Sequence, residues 1–153
     1  FVHANRVSFT RLLYSGLAPV CQAMNAEHEV PLDGMIPLFK ELTAEAGQQP
    51  ASPLIGILER QMQEALYTLC EELRRSEFFV KEQKNLEAGE DVFLCGGGAC
   101  VPYAIQYIQN HLSEKKISVL DPFKWTKKLS DGLDPMSGPL WSSAVGLSLR
   151  DVL

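Results

Sequence analysis

Val92-Phe93-Leu94-Cys95-Gly96-Gly97-Gly98-Ala99-Cys100-Val101-Pro102 is the stretch whose residue types could do chemistry: an apolar strand, three consecutive glycines and a helix start. Glycines carry no Cβ, so the backbone can turn sharply, approach a flat ligand and let the next helix pack closely on the strand. Pro102, with φ already near the helical value and no N–H to leave unsatisfied, suits a first helical position. An ordinary strand-to-helix turn with surplus glycine is the competing reading. Gly96 and Gly98 fit the first two places of a G-x-G-x-x-G dinucleotide fingerprint, but Val101 occupies the third. No Lys-Ser/Thr pair follows, so a Walker loop is excluded as well. Cys95 and Cys100 flank the turn, where a packing role for the thiols outweighs a nucleophilic one. Neither a Ser/His/Asp set nor a Cys/His set is brought together, so no catalytic residue is assigned.

Glu71, Arg74 and Arg75 form a second group with chemical capacity. A guanidinium plane can stack on a purine, and a carboxylate can accept from ribose hydroxyls. Equally, Glu71 and Arg75 at i,i+4 make an ordinary exposed helix pair, contributing roughly 0.3–0.5 kcal/mol. His3, His28 and His111 are isolated and make no metal pattern.

The elements that must position these groups follow from periodicity. Residues 1–14 alternate apolar and polar around Ala4-Asn5-Arg6, with Val7 and Phe9 on one side, and predict a β-hairpin. Leu17 to Met24 and Met35 to Leu42 are apolar patches that predict two short helices. Residues 47–53 are a loop by composition. From Pro53 to about Phe79, Leu54, Ile55, Leu58, Met62, Ala65, Leu66, Leu69 and Leu73 recur every three or four residues, predicting one long amphipathic helix with Ser52 as N-cap. After a polar link over 81–91 come the glycine strand, a helix from Pro102 to about His111 and a strand at Ile117 to Leu120. Strand, helix and strand of this length predict a right-handed βαβ unit with parallel strands. Pro139 to Val152 reads as a final helix burying Trp141, Val145 and Leu149.

Composition sets outer bounds. The 153 residues are 46% hydrophobic and 22% charged, enough for one sizeable core. A net charge of −5 without a basic cluster excludes phosphate-tracking nucleic-acid binding. No apolar run reaches the ~18–20 residues that span a bilayer. Cys21, Cys70, Cys95 and Cys100 lack C-x-x-C spacing, lie among hydrophobic residues and read as the reduced, buried thiols of a cytosolic protein. The chain begins on Phe1, within what reads as a strand, and is taken as an excised part of a longer protein.

The glycine stretch resembles the adenosine motif of the actin-like ATPase superfamily. Within it the chain is similar to the type IV pilus assembly PilM family, in which a long helix ends in an E-E-[IL]-R-R-S run followed closely by an aromatic pair, matched by residues 71–79 with one residue between Ser76 and Phe78-Phe79. The adenosine motif follows, then a strand ending in a Pro-aromatic turn, matched by Val119-Leu120-Asp121-Pro122-Phe123. The family closes on an A-x-G-L-[AS]-L-R helix, matched by residues 144–150, and its strand pair ends in [FY]-[ST]-R, matched by Phe9-Thr10-Arg11.

The resemblance implies an α+β, ribonuclease H-like lobe over 1–153. Residues 1–14 would be a hairpin of the core sheet, 15–90 a mostly helical subdomain, and 91–153 the adenosine-motif βαβ with the terminal helix. By analogy with DnaK-type chaperones it implies adenosine held between Gly96, Gly97 and Gly98 on one side and Glu71, Arg74 and Arg75 on the other. Tyr103, where the family has small residues or P-G, departs from the pattern and could crowd that pocket. The phosphate loops and catalytic Asp residues would precede Phe1. ATP with Mg would therefore be a ligand of the full-length protein, a weak ATPase at most, while residues 1–153 hydrolyse nothing alone. Further implications are a cytoplasmic location, peripheral at the inner membrane, and docking to inner-membrane pilus assembly proteins through short peptides. The alternatives are a nucleotide-independent scaffold like the cytoplasmic domains of type II secretion, or another actin/DnaK-type ATPase.

Overall fold

The computed structural model describes residues 1–3, 6–44, 52–86, 89–124 and 135–148. Its centre is α3 (Pro53–Lys84), against which three of the other α-helices pack. Ile55, Leu58, Met62, Leu66 and Cys70 fall three or four residues apart and are all buried, because that spacing stacks them on one face of a 3.6-residue helix. Ser52 caps the start, its Oγ accepting from Ile55 N at 3.2 Å, and Pro53 takes the first helical position. Asn85 ends the helix in the left-handed conformation at φ 51°. The helix outruns the expected end at Phe79 because its charged last turn still lays Val80 into the interior.

Two shorter helices cover the buried face. α1 (Leu17–His28) contributes Val20 and Met24. It stops where Glu29 turns left-handed at φ 55°, and Asn25 Nδ2 donates to Val30 O at 3.0 Å to hold the exit. After a 3-10 turn at Leu32–Gly34, α2 (Met35–Ala44) buries Met35 and Leu42. The anticipated loop at 47–53 lies mostly outside the described residues.

β3 (Asp91–Leu94) and β4 (Lys116–Val119) are parallel, paired Asp91 to Lys116 through Leu94 to Val119, and α4 (Pro102–His111) connects them. The expected βαβ unit is present. Val92 and Leu94 are partly covered while Asp91 and Phe93 face outward, so the pair has one packed face and one open face. Tyr103, Ala104, Ile108 and Leu112 join α4 to the core.

β1 (Val2–His3) and β2 (Arg6–Val7) form the anticipated antiparallel hairpin, but it is not part of the sheet expected of it. Among the described residues there are two separate two-stranded sheets, β1 with β2 and β3 with β4. The hairpin is tied instead to the C-terminal half of α3, through Phe9 against Phe79 at 5.2 Å between ring centres and Arg11 against Glu72 and Ser76. A second departure is at the C-terminus. Residues 135–141 are 3-10 and only Ser142–Ser148 is α-helix, named α5. Trp141, expected in the core, is 45% exposed. Pro139 cannot donate into a regular helix and holds this segment in the tighter form. Leu149, also expected in the core, lies outside the described residues.

Candidate functional site

The glycine turn sits at the carboxyl end of β3, and residues 138–142 lie across the ends of both parallel strands. Gly96 N donates to Pro139 O at 2.9 Å, and Ser142 Oγ donates to Leu120 O at 2.9 Å. Asp121, just past β4, accepts from Phe123 N at 2.9 Å through Oδ1. The same oxygen lies 2.0 Å from where a Cβ on Gly138 would be, so any larger residue there must displace the Asp121 carboxylate.

The three central glycines differ in what they are for. Gly96 has φ +82°, a conformation that side-chain-bearing residues avoid. Gly97 and Gly98 are neither left-handed nor tightly enclosed. A Cβ on Gly97 would meet Leu140 Cδ2 at 3.4 Å and one on Gly98 would meet Leu17 at 3.6 Å, which are ordinary contacts. Gly97 is exposed, with Leu140 beside it.

Glu71, Arg74 and Arg75 do not face this turn. α3 and α4 run in the same direction. Glu59 and Gln63 meet Tyr103 at the start of α4, whereas Arg74 Nη2 donates to His111 O at its end. The two ends of α4 are separated by about 15 Å. Arg74 Nη1 also pairs with Glu71 at 2.7 Å, so both residues secure the last turn of α4, where a cation suits the carbonyl end of a helix. Arg75 points elsewhere and pairs with Glu72 at 2.7 Å on the hairpin side. The spacing of these residues reveals their shared helix but not their height along α4, which is set by packing.

Polar groups level with the glycine end of α4 escaped the sequence reading. Tyr103 is buried, its hydroxyl 3.2 Å from Glu59 Oε1 and 3.1 Å from Gln63 Nε2. Burial pushes its phenol above the ordinary value, and the Glu59 carboxylate adds to this while the Gln63 hydrogen bond opposes it. The ring that was expected to crowd the pocket is turned toward α3. A charged residue and an amide two turns after a capped helix start were the available signal, masked by their resemblance to a solvated helix face.

The thiols divide by location. Cys95, expected to be a buried packing thiol, is exposed because it continues the outward alternation of Asp91 and Phe93, whereas Cys70 is buried and its thiol is pushed up chiefly by desolvation, with Arg74 opposing and Glu71 and Glu114 reinforcing. Among the described residues no cluster of His, Cys, Asp or Glu could hold a metal ion, and no helix is long and apolar enough to cross a membrane. Exposed Gly97 leaves room for the close approach of a flat base; the described residues beside it offer no carboxylate cluster for Mg. Comparison of the chain with family models, with curated proteins and with solved structures finds no match.

Proposed function

We propose that the chain is the C-terminal lobe of a PilM-like, actin-like ATP-binding protein of type IV pilus assembly or related secretion machinery, and that its glycine turn forms the adenosine side of the nucleotide site. The observation that carries this reading is Gly97: it is exposed at the carboxyl end of a parallel strand, where ligands of open α/β sheets bind, and the chain's own packing does not require it to be glycine. A flat base would approach Gly97 and Gly98 between Leu17 and Leu140. Glu59 and Gln63, at the same end of α4, are better placed than Glu71, Arg74 and Arg75 to accept from a ribose.

A scaffold reading is favoured by one observation. Gly96 N–H is already taken by Pro139 O and is not available to a ligand. Titration of Mg-ATP into the protein carrying both lobes separates the two. Gly97→Val should weaken binding at least about tenfold, a loss near 1.4 kcal/mol, while thermal unfolding stays at the parent temperature. Parental affinity in a folded Gly97→Val protein would make the turn a packing device and leave the scaffold reading standing.

A further inference from the structure

The C-terminal half of α3 and the segment after the hairpin flank an open, shallow cleft of about 420 Å³ lined by Phe9, Arg11, Arg75, Phe78, Phe79, Glu82 and Gln83. It is remote from the glycine turn: Phe79 stands about 24 Å along α3 from Gln63, the residue level with the start of α4. Its volume is that of a single small-ligand pocket. Phe9 and Phe79 make a tilted aromatic wall, and the neighbouring Phe78 ring is 68% exposed, so its face is open to a ligand.

The two arginines are fixed in advance. Glu72 holds both arginines, Oε1 accepting from Arg75 Nη1 at 2.7 Å and Oε2 accepting from Arg11 Nη2. Arg11 Nη1 also donates to the buried Ser76 Oγ at 3.2 Å. Arg75 keeps further N–H donors and an open guanidinium face, while Glu82 offers an acceptor and Gln83 both an acceptor and donors. Two cations and two anions, counting Glu72 behind the wall, leave no surplus charge to draw a phosphate or another anion. Aromatic faces and guanidinium planes on which a base can stack, with donors and acceptors at the edge, are how proteins hold nucleobases.

We propose that this cleft binds a neutral planar nitrogen heterocycle of the nucleobase type, as a free base or nucleoside, by stacking on Phe78, Phe79 and Arg75. Its ring edge is read by Glu82 and Gln83. This site is separate from the glycine turn and stands whether or not that turn holds nucleotide.

The test titrates the chain, labelled at its phenylalanine rings, with adenosine, guanosine and cytidine by NMR, with calorimetry for affinity. Saturable shifts of the Phe9, Phe78 and Phe79 ring signals by at least one nucleoside are expected. Phe78→Ala should weaken that binding at least about tenfold without lowering the unfolding temperature, since the ring is exposed. Arg75→Lys should do the same, because lysine keeps the charge and loses the planar face. Absence of ring shifts at millimolar nucleoside overturns the proposal. So does parental affinity in both folded variants, and so does a tryptophan-containing peptide that shifts the rings where nucleosides do not, which would assign the cleft to a partner polypeptide.

Discussion

Tyr103 shows how much a single side chain can couple. Its hydroxyl ties α4 to Glu59 and Gln63 of α3 from a buried position. Tyr103→Phe should cost about 1 kcal/mol of stability at neutral pH, the usual worth of a lost hydrogen bond with partners left behind, measured by denaturant unfolding. The pH dependence has a definite sign. The folded phenol titrates above its ordinary 10.0, so the stability it contributes is complete below that value and is lost as pH rises through the higher folded one. The variant should therefore show a shallower alkaline decline than the parent; parallel declines would mean the phenol is not held in its neutral form by folding. Gly96 makes a second residue-scale prediction. At φ +82°, Gly96→Ala should cost about 1–2 kcal/mol, whereas Gly97→Ala should cost much less, and equal melting temperatures for the two would contradict the turn geometry.

Among elements, α3 is the spine and the strand-end crossing is the fastener. Leu58 is fully buried on α3, so Leu58→Ala should remove about 2–5 kcal/mol, a large part of a domain's typical total of about 5–15 kcal/mol. Calorimetric unfolding would show it as a large drop in melting temperature. The crossing at 138–142 is held by the hydrogen bonds from Gly96 N to Pro139 O and from Ser142 Oγ to Leu120 O. Gly138→Ala places a methyl on the Asp121 carboxylate and should loosen the ends of β3 and β4 together, read as faster amide exchange at Gly96 and Leu120. Unchanged exchange at both amides would mean that Asp121 swings aside at no cost. Arg74 belongs to this scale as well: it secures the end of α4 and has no route to the glycine turn.

For the whole molecule, chemical accessibility reports how the parts are joined. Iodoacetamide should modify Cys95 early, because it is exposed beside the turn, whereas Cys70 should resist until the chain unfolds, being buried with a raised thiol pKa. Mass spectrometry of timed samples checks the order, and early labelling of Cys70 would mean that the α3 core opens locally. What the sequence determined by itself was everything governed by local periodicity and chain length. The run from Leu54 to Leu73 specified a helix and its core-facing side, Ser52-Pro53 specified where it starts, and the spacing of 92–95, 102–111 and 117–120 specified a parallel pair joined by a helix. Glycine at 96 was likewise legible as a turn, since only glycine takes that φ cheaply. Tertiary structure alone decided which residues meet. Helix phase says that Glu71 and Arg74 lie together, but only the docking of α4 on α3 fixes that they stand at His111 and that Glu59 and Gln63 stand at Tyr103. Likewise, strand pattern predicts a hairpin from residues 1–14 but says nothing of its partner, because edge pairing depends on long-range packing. Here Phe9 on Phe79 and Arg11 on Glu72 hold it against the end of α3, away from the parallel strands.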